Sequence, residues 1–146
     1  MKIRQTLMWA LFLAPEFAHA ACSVAPTPVA FGVYSSFNAA PTDTAGTLRV
    51  NCDTATVSYT LLLNPGGAGS YAPRRLAGGA YTLAYNLYAD ALRTIVWGDD
   101  SGGTATVSGT LALPGAIDHT VYGRMPARQN VGAGAYTDTI TVTLNF

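Results

Sequence analysis

The chain has 146 residues, eight basic and eight acidic side chains, and only 11% charged residues, less than half the roughly 25% of a typical soluble domain. A balance near zero with no basic cluster speaks against nucleic-acid binding, which needs grouped cations to displace counterions. So few charges leave wide stretches of surface to Thr, Ser, Ala, Gly and apolar side chains, and such a surface favours association.

The opening MKIRQTLMWALFLAPEFAHA has a basic start at Lys2 and Arg4, an apolar run from about Leu7 to Ala14, and small residues at Ala18 and Ala20. That is the build of a secretory signal peptide with an A-x-A cleavage site. The run of roughly 8 residues is far short of the ~20 needed to span a bilayer. Cleavage is expected after Ala20, so residues 1–20 are read as signal and 21–146 as one exported domain with no membrane span.

Cys22 and Cys52 both fall in the exported part and are expected to form one disulfide. Closing a loop of about 30 residues removes roughly 3 to 4 kcal/mol of denatured-state entropy on the chain-entropy view. The rival reading, a redox or metal pair, has no CxxC spacing or histidine cluster behind it.

Beyond residue 20 helix signals are nearly absent, and period-two runs recur between Gly, Pro, Asn and Asp clusters, as in an all-β sandwich or barrel of about seven or eight strands. PVAFGVY sets Val29, Phe31 and Val33 on one face of a predicted strand. TLRVNCD sets Leu48, Val50 and Cys52 inward against Arg49, Asn51 and Asp53, and TVSYTLLL offers Val57, Tyr59, Leu61 and Leu63. NPGGAGSYAPRRLAGG reads as a long connection, with Arg74 and Arg75 in solvent. AYTLAYNLYAD alternates Tyr81, Leu83, Tyr85 and Leu87 against Thr82, Ala84, Asn86 and Tyr88, a strand covered on both faces. RTIVWGDDSGGT is a short strand entering a turn, and ATVSGTLAL and HTVYGRMPA are two more strands. In GAGAYTDTITVTLNF the residues Tyr136, Ile140, Val142, Leu144 and Phe146 take one parity and threonines the other.

Chemistry is sparse. His119 beside Asp118 has no nucleophile turn to serve and reads as a surface or strand-edge histidine. Asp99 and Asp100 lack the spacing of a calcium loop, and Asp-Ser-Gly-Gly is ordinary turn chemistry. The glycines at 66–69 lack the Lys that makes a phosphate loop. Trp97 reads as core or sheet edge, with a sugar platform as the alternative use. The expectation is a protein that is not an enzyme and carries no cofactor or metal.

The ordered motifs Trp-Gly-Asp, Tyr-Gly-Arg and Gly-x-Tyr-x-Asp-Thr before a terminal Phe, carried by Arg93, Trp97, Tyr122, Arg124, Tyr136 and Asp138, resemble the spore coat protein U domain family. That family includes subunits of Csu-type archaic chaperone-usher pili, and the resemblance runs from the Cys22 region to Phe146. It implies an immunoglobulin-like, pilin-like β-sandwich lacking one strand. A periplasmic chaperone would fill the gap first and another pilus subunit later, with an outer-membrane usher passing the chain to the cell surface. It also implies a groove with Ile140, Val142, Leu144 and Phe146 on one wall and Val29, Phe31 and Val33 on the other. Donor subunits of the family carry an extra strand before the first cysteine. Cleavage after Ala20 would leave only Ala21 there, which favours a chain that accepts a strand without giving one, as at a tip. The alternatives are a self-contained coat or matrix protein and a sugar-binding adhesive module.

Overall fold

The computed structural model describes residues 22–53, 57–112 and 114–146; the expected signal peptide lies outside them. The chain forms β1 (Cys22–Pro26), β2 (Thr42–Cys52), β3 (Val57–Leu63), β4 (Arg74–Gly78), β5 (Tyr81–Tyr88), β6 (Val107–Leu111), β7 (Gly115–Met125) and β8 (Val142–Asn145). No helix occurs among the described residues. A five-stranded sheet in the order β1-β2-β7-β5-β4 faces a three-stranded sheet in the order β6-β3-β8, with every strand pair antiparallel. This is the all-β sandwich that the alternation predicts.

Burial follows the predicted parity where the alternation is strongest. Leu48, Val50 and Cys52 of β2 are buried while Arg49 and Asn51 face water, and Val57, Tyr59, Leu61 and Leu63 of β3 all enter the core. Leu83, Tyr85 and Leu87 of β5 join them, as do Val121 and Met125 of β7. Asn86, on the opposite parity of β5, is buried too, so the middle of that strand is covered on both faces.

Four expectations are corrected. PVAFGVY is not a strand: residues 27–35 carry no strand pairing. The reason is a change of parity. Cys22 and Val24 sit opposite Cys52 and Val50 and share their inward face, so even-numbered residues of β1 point in, whereas the next half-buried residues, Val29 and Phe31, are odd-numbered. One regular strand cannot hold both sets inward, and the ladder ends at Pro26-Thr27-Pro28, where Thr27 N makes a last bond to Thr47 O at 2.8 Å.

The long connection, in turn, contains β4. Its inward parity begins with an arginine and ends with a glycine, so no hydrophobic period marks it in the sequence. The glycine has a reason: a Cβ on Gly78 would stand 2.6 Å from the Tyr136 ring. RTIVWGDDSGGT makes only isolated bridges, Tyr88 with Val96 and Trp97 with Ala105, and the terminal strand shortens to Val142–Asn145. Ahead of it Thr137 exchanges two backbone bonds with Ala77, at 2.8 and 3.0 Å, and covers the edge of β4.

Cys22 and Cys52 are joined, and they are directly opposite one another in the β1–β2 ladder. The bond therefore fastens the edge strand to the core strand beside it. Thiol labelling of the protein under denaturing, non-reducing conditions is expected to find no free cysteine, and Cys52→Ala to cost about 2 to 5 kcal/mol in urea melts. Stoichiometric labelling would reject the pairing.

Candidate functional site

The open part of the sandwich lies where the free edges of the two sheets meet. β1 is the edge of the larger sheet, β8 is an edge of the smaller one, and the two strands touch. β8 has β3 on one side and, among the described residues, no strand on the other. Asn64 N donates to Thr141 O at 3.1 Å and Thr141 N to Asn64 Oδ1 at 2.9 Å, so odd-numbered residues turn their backbone groups toward β3. By the alternation of an antiparallel ladder, Val142 and Leu144 then direct their N–H and C=O to the free edge.

Beside this edge a cleft of about 230 Å³ runs into the core. Pro28, Val29 and Phe31 line one side, Ile140 and Val142 the other, and core residues such as Leu63 and Val121 the floor. Two glycines let the 28–31 segment lie on the inner face of the larger sheet. A Cβ on Gly46 would meet Val29 at 2.8 Å, and one on Gly123 would meet Phe31 at 2.8 Å and Val29 at 2.9 Å. Phe31 packs edge-on against Tyr85, with ring centroids 5.8 Å apart. Ile140, Val142 and Leu144 are half-buried against the core while Thr141 and Thr143 face water.

The structure thus brings Val29, Phe31, Ile140 and Val142 together around one cleft and sets Leu144 one step along the same parity. It does not bring Val33 or Phe146 there. Gly32 takes a positive φ of 72° and turns Val33 outward, where it is 94% exposed, and Phe146 lies past the end of β8 and is 58% exposed.

The motif residues serve the frame around the cleft. Trp97 is 1% exposed and donates from Nε1 to Leu61 O at 3.1 Å, so it is a core residue and offers no sugar platform. Tyr136 donates to Gly132 O at 2.6 Å, and Asp138 accepts from Tyr85 Oη at 2.7 Å and Gly67 N at 2.9 Å. Burial first, and then Asp138, push the Tyr85 phenol well above its ordinary range. Arg124 grips Asp43 with two bonds at 2.7 and 2.8 Å, while Arg93 reaches Asp43 at 3.4 Å and lies over the Tyr122 ring. The Arg124 bonds hold the Asp43 carboxyl below its usual range. Asp43 was not singled out in the sequence; its only signal is an acid on the outward parity of β2, opposite Arg124 in β7.

Two readings of charged side chains change. Arg74 is fully buried, not solvated: it donates to Asn64 O at 3.0 Å, Trp97 O at 2.7 Å and Asn86 Oδ1 at 2.9 Å, and stacks on Tyr71. Burial pushes its guanidinium below the ordinary value. His119 lies inside the β2–β7 ladder and shares a 2.7 Å hydrogen bond with Tyr59 Oη across the sandwich; burial lowers its pKa. Asp99 caps its own turn by accepting from Ser101 N at 3.1 Å. Among the described residues no three His, Cys, Asp or Glu side chains converge in a way that holds a metal.

Comparison with known proteins adds the family. The Spore Coat Protein U domain matches residues 8–143. Protein U of Myxococcus xanthus is 40% identical over an alignment of 109 positions that covers 69% of this chain and 59% of that protein. Among solved structures, a chain of the CsuC-CsuE chaperone-tip adhesion subunit pre-assembly complex, from archaic chaperone-usher Csu pili of Acinetobacter baumannii, superposes with a TM-score of 0.63 at 20% identity. That match covers 87% of this chain and 40% of the other, and at this identity it speaks for the fold. The present chain therefore spans less than two thirds of either relative. With a two-sheet sandwich, the ordered motifs built into its frame and a family match across most of its length, the chain belongs to the Spore Coat Protein U domain family.

Proposed function

We propose that this protein is an exported structural or adhesion subunit of a chaperone-usher pilus, and that it accepts an extended strand from another chain beside β8. The observation that carries the reading is the free β8 edge, whose half-buried Ile140, Val142 and Leu144 border the apolar cleft. An added strand would bond to the outward backbone groups of Val142 and Leu144 and place alternate apolar side chains in the cleft, the mode of β-strand addition. Backbone bonding supplies affinity, and the cleft supplies register. A periplasmic chaperone would deliver the first such strand, a neighbouring subunit the lasting one, and an outer-membrane usher would pass the chain to the cell surface. A tip position goes with the expectation that cleavage follows Ala20, which the mass of the exported chain checks.

The test is a peptide of alternating apolar residues added to the purified domain. At about a hundred times its dissociation constant it is expected to stabilise the fold by about 2.7 kcal/mol and to raise Tm by the order of 10 °C. A domain that melts cooperatively and ignores every such peptide would have a complete sandwich. That outcome would favour the second reading, a self-contained coat protein, whose coat role rests on the description of the Spore Coat Protein U domain.

A further inference from the structure

The outer faces of the two sheets differ in chemistry. The larger sheet carries paired charges across β2 and β7: Arg49 with Asp118 at 3.2 Å and Arg124 with Asp43 at 2.7 Å. The smaller sheet presents hydroxyls. Ser58 of β3 pairs with Thr110 of β6 at 3.1 Å, and Thr60 pairs with Ser108 at 3.1 Å, while Asn145 of β8 stands opposite Thr60 on its other side. These residues, with Tyr59, Gly109 and Phe146, line a shallow open trough that has no Asp, Glu, Lys or Arg side chain in its wall.

We propose that this trough is a binding site for a neutral sugar of a surface glycan. Each hydroxyl pair uses one proton between its two members, so a second proton and further lone pairs remain for a ligand, and the Asn145 amide adds both donors and an acceptor. The rows are set by the ladder, about 4.8 Å apart across strands and about 6.7 Å along them, so the polar groups are held by backbone pairing and not by mobile loops. Phe146, 58% exposed, offers the apolar surface that the C–H face of a sugar ring covers. A neutral ligand fits because no charge has to lose its water on binding, whereas an anionic or cationic one finds no partner in the wall. The inference does not depend on strand addition at β8, because the trough lies on the outer face and the cleft opens inward.

The experiment titrates the isotopically labelled exported protein with a panel of neutral hexasaccharides of glucose, mannose, galactose and N-acetylglucosamine, with polygalacturonate fragments as the anionic control. At least one neutral member is expected to bind, with amide shifts centred on Ser58, Thr60, Ser108, Thr110 and Asn145. Phe146→Ala is expected to weaken that binding about tenfold at unchanged Tm, and Ser108→Lys to abolish it. Binding to none of the neutral members, shifts centred elsewhere, tighter binding of the anionic control, or equal affinity in the Phe146→Ala protein would each overturn the proposal. Repeating the titration with a donor peptide bound should leave the affinity as it was.

Discussion

Arg74→Met is expected to unfold the domain or leave it at the edge of stability, with a loss of about 3 to 5 kcal/mol in urea denaturation. The guanidinium supplies Asn64 O, Trp97 O and Asn86 Oδ1 with donors in a site sealed from water. Methionine fills similar space but leaves the Asn64 and Trp97 carbonyls bare and Asn86 Oδ1 with only the Leu87 N–H at 3.1 Å, and each buried unsatisfied group costs about 1 to 3 kcal/mol. Against a net stability of about 5 to 15 kcal/mol, that is a large share. The damage should also reach the proposed strand site, because Asn64 holds Thr141 through both its backbone N–H and its side chain. Arg74→Lys is expected to recover only part of the loss, since one ammonium does not span three divergent acceptors. A methionine variant as stable as the parent would show that the arginine is dispensable.

Val142→Asp and Leu144→Asp are expected to abolish the response to a donor peptide, whereas Thr141→Asp and Thr143→Asp are expected to keep it. The first pair sets a carboxylate against the core beside the apolar cleft, where an unpaired charge costs more than the neutral-group penalty of about 1 to 3 kcal/mol. At about 1.4 kcal/mol per tenfold, that lowers peptide affinity by more than ten- to hundredfold. The threonines face water, and substitutions there usually move stability by no more than about 0.5 kcal/mol. Thermal melts without peptide separate a folding defect from a binding defect. Equal losses on both parities would reject strand addition at this edge.

The sequence by itself determined the class of fold and most of its core. Where apolar residues alternate without interruption, as in Leu48, Val50 and Cys52 or Val57 through Leu63, one face has to be buried, and both the strand and its inward side follow. The parity of Ile140, Val142 and Leu144 was legible for the same reason, and the Cys22–Cys52 pairing from two cysteines in a chain expected to be exported. Only the tertiary structure decided the rest. Val29, Phe31 and Val33 alternate well, yet whether they join a ladder depends on their parity relative to Cys22 and Val24, a relation between segments that no local window contains. Arg74 looks like a surface charge in any window, and its burial depends on carbonyls at positions 64 and 97 and an amide at 86, which only folding brings together. Local periodicity tells a strand which way to face, but a buried charge or a broken ladder is settled by partners distant in the chain, and those partners exist only once the sheets have packed.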